Sequence, residues 1–133
     1  MANSKERVLL YQFPADQAEL ITGALRPMGV GVQILSPDAW REKVGYLLGR
    51  KGFLKQTAQE GDVFSFPHRV MLLDGVKGKR LTQVLRVVED AGVPHITYKS
   101  SITPYNTLWT LRYLCEHMAK EHGSEMPTEG NTE

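Results

Sequence analysis

One cysteine, Cys115, stands in 133 residues. A single thiol excludes an intramolecular disulfide and a cysteine-rich metal cluster, and it fits a reducing compartment. No apolar run approaches the roughly 20 residues a membrane helix needs. The run inside the opening MANSKERVLLYQF is too short for the core of a secretory signal. Excess charge is missing as well: 16 Lys and Arg stand against 15 Asp and Glu. Nothing global therefore draws the chain to nucleic acid or anionic lipid. The histidines, His68, His95, His117 and His122, show no metal-ligand spacing, and no nucleophile–base pair is identified by spacing. The expectation is a cytoplasmic protein with no membrane segment, no metal, no cofactor and no catalytic set, its enzymatic status undecided.

Apolar residues make up 41% of the chain, enough for one compact core at this length. The charges are unevenly placed. Arg41, Lys43, Arg50, Lys51 and Lys55 face only Glu42 across their stretch, whereas Glu116, Glu121, Glu125, Glu129 and Glu133 dominate the C-terminus. The closing HGSEMPTEGNTE has no apolar periodicity, so 123–133 is expected to be a disordered acidic tail.

The rest reads as one unit written twice. RVLLYQF (Arg7 to Phe13) and RVMLLDG (Arg69 to Gly75) are apolar runs bounded by turn residues, as buried strands are. Each precedes a helical pattern, Leu20, Ile21, Ala24 and Leu25 in the first and Leu81, Val84, Leu85 and Val88 in the second. Gly29-Val30 and Gly92-Val93 close these helices at a left-handed position. Second strands follow, GVQIL and HITYK, then Ser36-Pro37 and Thr103-Pro104, each an N-cap hydroxyl with proline at the first helical position. The fold class expected is α/β: a duplicated βαβα unit forming a four-stranded, mainly parallel sheet, order 2-1-3-4 favoured, with helices packed on it. A split arrangement with antiparallel pairing between the halves is the alternative. The pseudo-repeats are 7–49 and 69–121 within one domain, 1–122, joined by a loop over 50–68 that is long for a structureless connection.

If the sheet is parallel, a ligand crevice opens between the first and third strands, at the loops QFPADQ and DGVKGKRL. Gly75 and Gly78 would let backbone N–H groups approach an anion, and Lys77, Lys79 and Arg80 break the preference against cations at a helix start. Asp74 more often holds the following turn than acts as a base. In KSSITPYNTLWTLRYL, Thr103, Pro104 and Asn106 suit a capping box, which leaves Lys99, Ser100 and Ser101 unexplained. Leu108, Leu111, Leu114, Cys115 and Met118 share a core face. Trp109 and Tyr113, four apart, form a second apolar patch that needs a cover.

The pattern Lys99-x-x-x-Thr103-Pro104-x-Asn106-x-x-Trp109, after a strand ending in Gly75, resembles a bacterial domain of unknown function numbered 3783. The resemblance runs from about Arg69 to His122, and Val44 to Phe53 resembles the segment that often precedes that domain. It implies a fold and marked positions but no reaction, and it makes Lys99 the best candidate for a shared role. The preferred reading is a non-enzymatic binding or regulatory module that self-associates, as a homodimer, through Trp109 and Tyr113. The alternative is a site for a phosphorylated or carboxylated ligand at the strand ends, where Gly75, Lys77, Lys79, Lys99, Ser101, Thr103 and Asn106 would meet. Nucleic-acid association through Arg50, Lys51, Lys55, Lys79 and Arg80 comes third.

Overall fold

The computed structural model describes residues 6–56 and 64–125. The expected linker and acidic tail fall partly on residues 57–63 and 126–133, which lie outside the described residues. Four strands, β1 (Arg7–Tyr11), β2 (Gly31–Ile34), β3 (Val70–Asp74) and β4 (Tyr98–Ser101), form one sheet in the order β2-β1-β3-β4. The helices are α1 (Ala15–Leu25), α2 (Val44–Leu47), α3 (Lys79–Asp90) and α4 (Leu111–Glu125). No helix among the described residues is long and apolar enough to cross a membrane.

The outer pairings, β1 with β2 and β3 with β4, are parallel, and the central pairing of β1 with β3 is antiparallel. The order and the mostly parallel character are those expected. The antiparallel centre removes the expected crevice, because the carboxyl ends of β1 and β3 point to opposite edges of the sheet. Apolar strands buried on both faces carry no directional signal, which is why the sequence leaves both arrangements open.

The chain divides into two compact units, and each draws on both halves of the sequence. The first, from 6–37 and 67–103, contains the sheet with α1 and α3. Val8 and Leu10 of β1 and Met71 and Leu73 of β3 share a buried cluster with Ile21 and Leu25 of α1 and Val84 and Val88 of α3. Period-two alternation turns Leu9, Tyr11, Val70 and Leu72 to the opposite face, and these are buried as well. Leu20, expected on the apolar face of α1, is 46% exposed; Ala18, Ile21 and Leu25 form that face instead. Gly29 and Gly92 have φ of 75° and 95°, the left-handed geometry expected of them.

The second unit, from 38–56, 64–66 and 104–125, holds α2 and α4. Neither helix starts at its hydroxyl–proline pair. Three-residue 3-10 turns, Ala39–Arg41 and Asn106–Leu108, come first, and each is followed by an extended residue, Glu42 (φ −89°, ψ 152°) or Trp109 (φ −86°, ψ 150°), with Lys43 extended too (φ −70°, ψ 145°). Glu42 and Trp109 are extended because their carbonyls accept across the unit. Val44 N–H donates to the Trp109 carbonyl at 2.8 Å, and Leu111 N–H to the Glu42 carbonyl at 2.9 Å. The cap of α4 is consequently Thr110, whose Oγ1 accepts from Tyr113 N–H at 3.1 Å, and Thr103 lies well ahead of it. Leu108 belongs to the 3-10 turn and is 61% exposed, whereas Leu111, Leu114, Cys115 and Met118 are buried as expected.

The two halves correspond at fixed offsets. β1 and β3, and likewise Gly29 and Gly92, are 63 positions apart. From β2 and β4 onward, through both 3-10 turns and the starts of α2 and α4, the offset is 67. The difference is four residues in the second half, Pro94 to Thr97, between Val93 and β4. These residues also explain why β4 begins at Tyr98 rather than at His95 as expected. The Pro94 and His95 carbonyls accept from the Arg69 guanidinium, and the ladder with β3 starts at Val70 and Tyr98.

Candidate functional site

β1 ends at Tyr11, and the next residue, Gln12, has φ 64°. It is the one non-glycine among the described residues with a left-handed backbone. Such a conformation costs on the order of 1 kcal/mol and persists where its surroundings fix it. Here the Gln12 amide donates to the His68 carbonyl at 2.9 Å. The turn opens a cavity of about 480 Å³ at this edge of the sheet, with Gln12, Gln17, His68, Arg69, Thr97 and Tyr98 in its lining. Pro14 and Gln17 bring the first turn of α1, which has no side-chain cap, to its wall.

Arg69 organises this cavity. Its Nη1 donates to Gln17 Oε1 at 3.0 Å and to the Pro94 carbonyl at 3.1 Å, and its Nη2 donates to the His95 carbonyl at 2.5 Å. Its guanidinium also lies 5.5 Å from the centre of the Phe13 ring. All these partners are neutral, so the charge faces no carboxylate among the described residues. These bonds use three of its five N–H donors, and among the described residues the other two, one of them Nε–H, make no hydrogen bond and suit a carboxylate or phosphate. The His68 and Tyr98 rings pack 5.1 Å apart beside it. The sequence reading includes the QFPADQ loop but not Arg69, and a basic residue directly ahead of a buried strand is the signal that marks it.

The opposite edge of the sheet carries Gly75 to Lys79. Gly75 and Gly78 have φ of 75° and 59°, and Lys77 and Lys79 are exposed. Both arginines there are engaged. Arg7 Nε donates to Asp74 Oδ2 at 3.2 Å and its Nη1 to Gln33 Oε1 at 3.0 Å. Arg80 Nε donates to Glu6 at 3.0 Å while its Nη2 donates to the Met28 carbonyl. Asp74 thus anchors Arg7 across the central strand pair. Parallel pairing of Leu73 with Ser101, and donation from Ile102 N–H to the Leu73 carbonyl at 2.8 Å, bring Gly75 to the same edge as Ser101 and Thr103.

Lys99 pairs with Met71, four residues before Gly75, hence roughly 13 Å away along the strand. It lines a separate cavity of about 230 Å³ between α3 and β4. Asn106 is buried in the second unit, in the 3-10 turn. Of the remaining basic residues, Lys55 pairs with Glu42 at 3.4 Å, and Arg50 and Lys51 are exposed.

Trp109 and Tyr113 meet edge to face at 4.8 Å, and the Trp109 ring lies 5.2 Å from His117. Tyr105 and Leu108 of the same segment are exposed, as is Tyr113. The unit also holds Arg112 over Trp40 and Phe64, at 5.8 and 5.4 Å. No group of three or more His, Cys, Asp or Glu side chains suited to a metal ion occurs among the described residues.

Residues 69–124 match the family model of a domain of unknown function, DUF3783. The match spans β3, α3, β4 and nearly all of α4. No curated protein and no solved structure matches the chain.

Proposed function

We propose that the chain is a cytoplasmic binding or regulatory module that takes a small carboxylated or phosphorylated ligand in the cavity at the carboxyl end of β1. The observation that carries this reading is Arg69: a guanidinium held by neutral acceptors at a cavity wall, with two of its five N–H donors unused among the described residues. Paired arginines have a carboxylate; this one has the geometry to accept one from a ligand. Tyr98 and His68 offer flat surfaces beside it, so an aromatic or planar body on the anion is favoured. The uncapped first turn of α1 adds a positive field at the same wall. The buried, lone Cys115 agrees with a reducing compartment.

Calorimetric titration tests it with inorganic phosphate, phenyl phosphate and benzoate. The phenyl compounds bind, more tightly than phosphate alone, and Arg69→Gln weakens them at least tenfold. Absence of heat with all three compounds on folded protein sinks the reading.

A second reading is self-association through the aromatic face of the 105–113 segment. Trp109, Tyr113 and His117 already pack against one another, so little side-chain entropy would be lost on docking. Light scattering over a micromolar concentration series, with Tyr113→Glu and Leu108→Glu as controls, decides it. A constant monomer mass in the unaltered protein discards it.

A further inference from the structure

The cavity between α3 and β4 lies wholly within the family-matched segment, and three of the four residues that set the two halves out of step, Pro94, His95 and Ile96, build part of its wall. Its floor is apolar, with Met71, Leu85, Val88 and Val93, and Ile96 from the extra residues extends it. Its polar lining is Glu89, His95 and Lys99. Neither Glu89 nor Lys99 forms an ion pair among the described residues, although both line a space of about 230 Å³. Two opposite charges held at one cavity without pairing, over an apolar floor, are complementary to a ligand that carries both charges on a small apolar body.

We propose that this cavity binds the zwitterion of an apolar α-amino acid, its carboxylate on Lys99, its ammonium on Glu89 and its side chain on the floor beneath. The volume corresponds to roughly eight waters at about 30 Å³ each, the scale of a leucine or methionine. The equivalent place in the first half explains why one half alone has the site. At the same offsets, Arg26 stands for Glu89 and Val32 for Lys99, and nothing stands for Pro94 to Thr97. A cation and an apolar residue there provide no zwitterion complement. The same comparison gives Lys99 a role distinct from a turn or cap: it sits in β4, facing the α3 side with Met71, where a strand lysine would otherwise only cover an edge.

The test is calorimetric titration of the full chain at neutral pH with L-leucine, with 4-methylpentanoate (its analogue without the ammonium) and with 3-methylbutylamine (its analogue without the carboxylate). L-leucine binds, and each analogue binds at least about tenfold more weakly, the scale of one lost charge-assisted hydrogen bond. Lys99→Gln and Glu89→Gln each weaken leucine by a similar factor. Glu89→Gln also abolishes the preference for leucine over the acid, and Lys99→Gln abolishes the preference over the amine. Both residues are exposed, so the variants fold, and unchanged thermal midpoints confirm it. Three outcomes overturn the proposal: no binding of leucine, leucine binding that survives both substitutions, or an acid that binds as well as leucine. Because phosphate and benzoate report on Arg69 and leucine on Lys99 and Glu89, failure of one site leaves the result at the other legible.

Discussion

Lys43 and Thr110 face each other in an isolated antiparallel bridge, and they are 67 positions apart, the offset that relates their two halves of the chain. A residue bridged to its own counterpart lies beside the local twofold axis that exchanges them. The flanking bonds obey the same exchange. Val44 N–H to the Trp109 carbonyl becomes, under the offset, Leu111 N–H to the Glu42 carbonyl, at 2.8 and 2.9 Å. In the sheet unit, the antiparallel register of Arg7–Tyr11 against Val70–Asp74 has the same symmetry. The bridge is what forces Trp109 into an extended conformation and moves the start of α4 to Leu111.

That displacement makes Thr110 the residue whose hydroxyl supports α4. Thr110→Ala removes the acceptor for Tyr113 N–H and lowers stability by about 1 kcal/mol. Thr110→Ser retains the oxygen and most of the stability. Urea unfolding of the two variants measures the difference, and equal midpoints would show that α4 is not capped this way.

Gly45 supplies a second test, in which local propensity and packing oppose each other. Alanine favours a helix over glycine by up to about 1 kcal/mol. A Cβ on Gly45 of α2 would sit 2.3 Å from the Phe53 ring, however. Gly45→Ala therefore displaces Phe53 and destabilises the protein by roughly 1–3 kcal/mol. In a Phe53→Ala background the same substitution is neutral or stabilising. A double-mutant cycle from thermal unfolding yields the coupling; additivity would mean that Phe53 does not pack there.

Much of the fold is legible in the sequence, and the parts that are not have identifiable causes. The strand order follows from two short apolar runs too buried to be edges, and Gly29 and Gly92 mark the turns correctly. The direction of the central pairing is not legible, because VLLY and VMLL bury both faces whichever way they run. A helix start at Thr103 is what the local hydroxyl–proline signal indicates, whereas the bridge that delays α4 comes from 67 residues away. The strand expected at HITYK lies further along for a similar reason: Ile96 and Thr97 have strand character, but Arg69 takes the carbonyls of Pro94 and His95 and postpones β4 to Tyr98–Ser101. The Gln12 turn leaves no mark in the sequence, since glutamine is not a residue that favours φ of 64°.

Arg69→Lys separates geometry from charge. One ammonium cannot reach Gln17 Oε1 and the Pro94 and His95 carbonyls as the planar guanidinium does. The loss of such bonds costs roughly 1–3 kcal/mol, although the charge is kept. Hydrogen exchange at Ile96 to Tyr98 accelerates in the variant. Unchanged exchange and an unchanged unfolding midpoint would show that the guanidinium does not hold this segment.

Cys115 makes stability depend on pH in a defined window. It is fully buried. Burial, with a smaller contribution from neighbouring Glu116, pushes its thiol from 9.0 up to about 12. The folded chain therefore keeps the proton that the unfolded chain releases. Below pH 9 both states hold it and the group exerts no pH dependence. As pH rises from 9 toward 12, only the unfolded state gains by ionising, and stability falls by about 1 kcal/mol per pH unit. Lysines and tyrosines titrate in the same range, so the quantity to measure is the stability difference between the protein and Cys115→Ala. That difference is constant on the neutral side of the window. Inside it, the difference shifts steadily in favour of the alanine variant, which has no thiol to ionise. A difference that stays flat across the window would show that the thiol ionises equally well in both states. Reaction with a thiol reagent gives the same answer by another route. The buried thiol reacts at the rate at which α4 opens, so the reaction rate saturates with reagent concentration or rises with urea, whereas an accessible thiol reacts in direct proportion to reagent from the start.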